Sequence, residues 1–176
     1  MEPRVVSLVV NGRTHEVALA PNVTLLHALR DLGYTDVKNG CEKGDCGACA
    51  VLLDGRPVNS CLVLAWQAEG HEIVTNSGLG TFEKPHPIQE AFADTGAIQC
   101  GFCTPGMIVS TKALLDRNPD PTEEEIREAL SGNLCRCTGY GQIVSAVRLA
   151  AARLAGNPDP EDPAPRNDDT AGGGEA

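Results

Sequence analysis

The chain opens on two runs rich in β-branched apolar residues, RVVSLVV (4–10) and RTHEVAL (13–19), joined by Asn11-Gly12. That dipeptide favours the positive φ angles of a two-residue hairpin turn, so two antiparallel strands are predicted. The pattern then changes to helical spacing in TLLHALRDLG, where Leu25, Leu26 and Leu29 share a face, Thr24 is the expected N-cap and Gly33 the stop. A cysteine-rich loop follows over Gly40–Gly47. ACAVLLDGRPVNSCLVLA then predicts a second hairpin about Asp54-Gly55, and HEIVT a last strand. This first part reads as a small mixed sheet packed on one helix.

From about Gly78 the strand pattern gives way to helical segments. HPIQEAFADTG predicts a short helix. TPGMIVSTKALLDRNP predicts a longer one, with Thr104 as N-cap, Pro105 in the first turn and Pro119 as breaker. PTEEEIREALSGN carries a capping box, Thr122 with Glu125, and three glutamates where the helix dipole favours them. GQIVSAVRLAAARLAG is an amphipathic helix closed by Gly156. The expected organisation is α+β: residues 1–78 a sheet-based domain, 79–156 a helical bundle, and 157–176 a Pro/Asp/Gly-rich tail too poor in apolar residues to fold.

Composition narrows the function. Aromatic residues are 3% of the chain, so the core must rest on Leu, Val, Ile and Ala. The net charge is −10, and residues 157–176, with six acids and one arginine, hold half of it. No basic stripe exists to meet nucleic acid. No stretch reaches the roughly 20 apolar residues of a membrane span, VVSLVV is too short for a signal-peptide core, and no twin-arginine signal occurs. A cytoplasmic location is the expectation. Thiols stay reduced there, so the eight cysteines point to metal or redox chemistry before disulfides.

The cysteines divide into two quartets. Cys41, Cys46, Cys49 and Cys61 lie in NGCEKGDCGACAVLLDGRPVNSC, and their Cys-x4-Cys-x2-Cys start has the plant-type spacing for a [2Fe–2S] cluster. Only eleven residues separate Cys49 from Cys61, so the loop differs from that of plant ferredoxins. A cluster held by four thiolates needs backbone N–H groups turned toward sulfur. Gly40, Gly44 and Gly47 give the loop freedom to curl, and Lys43 adds a positive charge. A structural zinc site is the competing reading, although such sites usually pair two Cys-x2–4-Cys knuckles. The second quartet is Cys100 and Cys103 in IQCGFCTPGM with Cys135 and Cys137 in GNLCRCTGYG. In an extended strand the Cβ atoms of Cys135 and Cys137 would stand roughly 6–7 Å apart. Gly132, Gly139 and Gly141 allow the backbone to turn there, and each pair precedes a predicted helix whose N-terminus favours anionic sulfur.

CEKGDCGAC, QCGFCTPGM and GNLCRCTGY together resemble the small iron–sulfur subunit of the molybdenum hydroxylases, the xanthine dehydrogenase, aldehyde oxidoreductase and carbon monoxide dehydrogenase family, over residues 4–155. The resemblance implies an N-terminal β-grasp, plant-ferredoxin-like domain and a C-terminal four-helix bundle, each with one [2Fe–2S] cluster. It implies that electrons leave a molybdopterin site in a large partner subunit, pass through the cluster of Cys100, Cys103, Cys135 and Cys137, then that of Cys41, Cys46, Cys49 and Cys61, and reach FAD in a medium subunit. Gln99 and Cys137 match the positions that approach the pterin, commonly a cytosine dinucleotide. The implied assembly is a dimer of heterotrimers, the substrate a purine, another N-heterocycle or an aldehyde, and the chain carries no catalytic residue of its own. A free-standing two-cluster ferredoxin is the alternative.

Other polar residues invite blander readings. His15, His27, His71 and His86 are scattered, without metal-ligand spacing. Glu123–Glu125 are a helix start. Arg136, between two cysteines, either tunes a cluster by charge or pairs with a partner subunit.

Overall fold

The computed structural model describes residues 2–160. Strands β1 (Arg4–Val10) and β2 (Arg13–Leu19) pair antiparallel with Val10 opposite Arg13. Asn11 and Gly12 take φ angles of 51° and 74°, as the dipeptide predicts. Helix α1 (Leu25–Asp31) follows, and the Thr24 hydroxyl accepts from the His27 amide at its N-terminus. β3 (Ala50–Leu53) and β4 (Arg56–Asn59) form the second hairpin, and β5 (Glu72–Val74) is the last strand. The five-stranded sheet has the order β2-β1-β5-β3-β4, with β1 parallel to β5 and the other pairings antiparallel. Leu8 and Val10 of β1, Val51 of β3 and Ile73 of β5 bury one face against Leu25, Leu26 and Leu29 of α1.

The second half is helical: a short α2 (Asn76–Leu79), then α3 (Pro87–Asp94), α4 (Thr104–Arg117), α5 (Glu123–Leu130) and α6 (Gly141–Leu154). Ile88 and Phe92 of α3, Met107 of α4, Ile126 of α5 and Ile143 and Val147 of α6 meet in a separate core. The capping box of α5 forms as predicted, with Thr122 and Glu125 bonding reciprocally. The two halves are not loosely tethered. Ala50 and Leu52, on the face of β3 turned away from α1, pack against Val109 and Ala113 of α4. β3 is thus buried on both faces, which explains the unbroken apolar run AVLL where an edge strand would alternate.

Several boundaries differ from the sequence reading. Thr104 is not an N-cap. The chain enters α4 directly from Cys103, whose φ and ψ of −77° and −20° are already helical, so Thr104 is the first helical residue and its buried hydroxyl has no partner among the described residues. The segment after β4 is not strand: 3-10 turns occupy Ser60–Leu62 and Ala65–Ala68. The Ser60 hydroxyl and amide both donate to the Cys49 carbonyl, at 2.8 and 3.3 Å, and bend the chain there. At the start of the tail, Arg153 pairs with Asp159 at 2.9 Å as well as with Asp94 at 2.7 Å. The expectation for residues 161–176 lies outside the described residues.

Candidate metal centres

The loop over residues 38–49 is shaped by backbone that few sequences tolerate. Glu42, Gly44 and Gly47 have positive φ angles of 55°, 82° and 68°. The strain at Glu42 is offset by its carboxylate, which accepts from the Asn39 amide and pairs with His27. Gly40 has no unusual φ, and its requirement is space: a Cβ there would lie 2.8 Å from Cys46 Sγ. The loop brings Cys41 against Cys46, while the bend at Ser60 brings Cys61 against Cys49. All four predicted residues of the first quartet therefore converge, as two thiol pairs, with Cys49 and Cys61 buried and the other two half-buried.

The second quartet is assembled from two segments. Cys100 and Cys103 form the turn before α4, and Cys135 and Cys137 the turn before α6. Cys137 Sγ stands 3.6 Å from Cys100 Sγ, and Cys103 faces Cys135. The sharp turn expected around Arg136 exists, but glycine does only part of the work. Gly139 has φ 62°, while the next left-handed residue is Tyr140 at 70°. The Tyr140 hydroxyl donates to the Asn133 carbonyl at 2.9 Å and accepts from the Cys135 amide at 3.0 Å, clamping the loop from below. Sequence reasoning missed Tyr140; an aromatic ring beside glycines in an aromatic-poor chain was the available signal. Gln99, Cys100 and Cys137 are exposed together, so this quartet opens to the surface on that side. Arg136 is exposed and forms no ion pair among the described residues.

Electrostatics divide each quartet. The amide of Lys43 donates to Cys41 Sγ at 3.4 Å and, with the Cys46 thiol, lowers that thiol to about 7. It is this N–H, not the exposed ammonium of Lys43, that meets sulfur. Burial pushes Cys46 up, and burial with the neighbouring Cys49 thiol pushes Cys61 to about 11. In the second quartet burial raises Cys103 to about 12. Burial also opposes ionisation of Cys135, but the Thr138 hydroxyl at 3.2 Å and the amides of Cys137 and Thr138 outweigh it and bring the thiol to about 7. The Phe102 amide lowers Cys100, and the hydrogen bond to Cys100 raises Cys137. The amide and hydroxyl donors are directed at sulfur, the arrangement that stabilises thiolate.

The grouping of the donors bears on what they fit. A structural zinc ion takes four donors in one tetrahedron. Among the described residues, no three Cys, His, Asp or Glu side chains gather as a single ion requires. Two thiol pairs facing each other suit a dinuclear group with two ligands per metal. Residues 8–76 match the 2Fe-2S iron-sulfur cluster binding domain family and residues 75–148 the [2Fe-2S] binding domain family. The small FeS subunit of nicotinate dehydrogenase from Eubacterium barkeri is 52% identical over 85% of this chain and 96% of that protein. The chain belongs to the small iron–sulfur subunits of the molybdenum hydroxylases. The xanthine dehydrogenase iron-sulfur-binding subunit of Escherichia coli O157:H7 is 49% identical over 78% of this chain and 88% of its own. In the crystal structure of quinoline 2-oxidoreductase from Pseudomonas putida 86, one chain superposes with a TM-score of 0.84 at 44% identity, covering 88% of this chain and 97% of that one. Membership makes this an electron-transfer subunit of an oxidoreductase. No helix among the described residues is long and apolar enough to cross a membrane.

The four histidines are accounted for without metal. His15 bonds Tyr34 at 2.9 Å, His27 pairs with Glu42, His71 with Asp54, and His86 caps α3.

Proposed function

We propose that Cys41, Cys46, Cys49 and Cys61 hold one [2Fe–2S] cluster and Cys100, Cys103, Cys135 and Cys137 a second, the first in a β-grasp domain (1–78), the second in a four-helix bundle (79–156). The observation that carries this is the convergence of all eight cysteines into two quartets, each of two close thiol pairs. A bound [2Fe–2S] cluster supplies a one-electron donor and acceptor. The residues of this chain do the rest: amides of Lys43, Phe102 and Cys137 donate to sulfur, the cores of the two halves keep water from the inner thiols, and the packing of β3 on α4 holds the quartets close. In this reading the chain conducts electrons and the bond-making chemistry belongs to partners.

The exposed group Gln99, Cys100 and Cys137 is the face we assign to molybdopterin in a large subunit, with the cytosine dinucleotide as its form. The first quartet then lies toward FAD in a medium subunit, in a cytoplasmic dimer of heterotrimers. The nicotinate, xanthine and quinoline named for the relatives are N-heteroaromatic, and we assign that substrate class to the complex, ahead of aldehydes. The test is anaerobic purification, iron and zinc analysis, and low-temperature EPR. About four irons per chain and two distinct signals after dithionite reduction are expected. A colourless, zinc-loaded chain overturns the reading, and a stable red-brown monomer that never joins larger chains favours the free-standing ferredoxin.

A further inference from the structure

We infer that Asn133 is a positioning residue that locks the two sulfur quartets at one separation; the inference rests on the two-cluster reading above. Asn133 is 4% exposed and sits two residues before Cys135. Its side chain reaches across the boundary between the halves. Nδ2 donates to the Gly47 carbonyl at 3.1 Å, inside the Cys46–Cys49 turn, and Oδ1 accepts from Ser110 of α4 at 2.8 Å. The next residue repeats the crossing, since the Leu134 amide donates to the Cys46 carbonyl at 2.9 Å. One carboxamide thus joins its own loop, which carries Cys135 and Cys137, to the loop of Cys41, Cys46 and Cys49 and to α4, which Cys103 directly precedes. Cys61 and Cys100 lie outside the segments it ties together.

The approach is as close as backbone permits. A Cβ on Gly47 would stand 2.4 Å from the Gly132 carbonyl and 2.6 Å from Asn133 Nδ2, and one on Gly106 would stand 2.4 Å from the Gly47 carbonyl. Two glycines clear the space that Asn133 fills. A buried carboxamide is a costly way to gain stability, because its desolvation cancels most of what its hydrogen bonds return. What it does supply is register: its bonds form at one relative placement of the loops and are lost at any other. Electron tunnelling falls steeply with distance, so a fixed separation of the quartets is the property a two-cluster conductor requires. Apolar packing of β3 on α4 permits sliding that these bonds do not.

The test uses the full chain with its iron, comparing wild type with Asn133→Asp, which keeps the shape but puts an oxygen against the Gly47 carbonyl, and Ser110→Ala, which only frees Oδ1. The readout is the magnetic interaction between the two reduced centres in EPR, which depends on their separation, together with thermal unfolding. Both variants should keep the wild-type iron content and the g values of each separate signal. Their interaction splitting should weaken, more in Asn133→Asp than in Ser110→Ala, and thermal unfolding, expected as one transition in the wild type, should divide into two. Wild-type splitting in iron-replete variants overturns the proposal, as does undivided unfolding. If Asn133→Asp fails to retain iron, Ser110→Ala and the unfolding measurement decide. A wild type lacking two [2Fe–2S] signals would instead defeat the two-cluster reading, while unfolding still judges whether Asn133 joins the halves.

Discussion

The two quartets solve one problem in opposite ways. The first is carried by a continuous loop and a nearby bend, with Cys49 and Cys61 built into the sheet core at 3% and 7% exposure. The second is drawn from two distant segments, and half of it, Cys100 and Cys137, lies in the open. A site rooted in a core shares its fate with the fold. A site at helix N-termini on the surface can be altered without unfolding what supports it, and it can meet a partner directly. Under the proposed function, this contrast supports placing the exposed quartet toward the large subunit.

The sharpest way to break this contrast is to remove one thiol from each. Cys49→Ser should lose about half the iron and destabilise the sheet half by roughly 1–3 kcal/mol, because a hydroxyl replaces a thiol in an apolar core. Cys137→Ser should also lose about half the iron, by the same two-cluster count, yet leave the thermal unfolding of the sheet half as in wild type. Iron analysis and circular dichroism melts read both. Equal destabilisation by the two would erase the distinction between rooted and surface sites.

A core truncation sharpens the same point from the other half. Phe92 is 1% exposed among α3, α4 and α6, and Phe92→Ala should cost about 3–5 kcal/mol. Because α4 also packs on β3, the loss should carry to the sheet half and lower its melting temperature too. An unchanged sheet transition in this variant would show two independent halves and weaken the case for a rigid link between the quartets.

What could be read from sequence divides along similar lines. Local chemistry was legible: Asn11-Gly12, the Thr24 and Thr122 caps, and the spacing that sorts eight cysteines into two groups. Interactions between distant residues were not. Nothing in GNLC announces that Asn133 meets Gly47, because that contact depends on how two separately folded halves dock. The glycines were legible as necessary but for partly wrong reasons, since Gly40 is there for room beside Cys46 and Tyr140 takes a left-handed conformation that glycine was expected to supply. Thr104 was misread because a threonine before proline looks like a cap until the preceding cysteine is found already helical.

A smaller effect belongs to the helices that frame the second quartet. Thr122→Ala removes both hydroxyl contacts with Glu125 and should cost about 1 kcal/mol. The chain should then melt at a slightly lower temperature, with unchanged EPR from the first quartet. A shift in the first quartet's signal would mean that fraying of α5 reaches further than its packing suggests.

The smallest expected effect is a dependence on pH. His86 caps α3 by accepting from the Ile88 amide at 3.2 Å through Nδ1, which must be unprotonated to do so. Burial holds its pKa below the ordinary 6.5, and the neighbouring Lys112 adds to the shift, against weaker opposition from Asp116 and Glu90. Between the folded and unfolded values the unfolded chain binds more protons. The cap's contribution is therefore complete above 6.5 and is lost as pH falls from there through the lower folded value. Asp54 and Glu42, whose pKa values are lowered chiefly by His71 and by Asn39 respectively, lose their contributions only at more acidic pH, below their ordinary 3.8 and 4.5. His86→Asn keeps an acceptor at the cap and removes the titrating group. Wild type should lose more melting temperature than this variant between pH 7 and pH 5, the window set by an ordinary histidine near 6.5, and the two should run parallel at lower pH. Parallel curves throughout would show that protonation of His86 does not open α3.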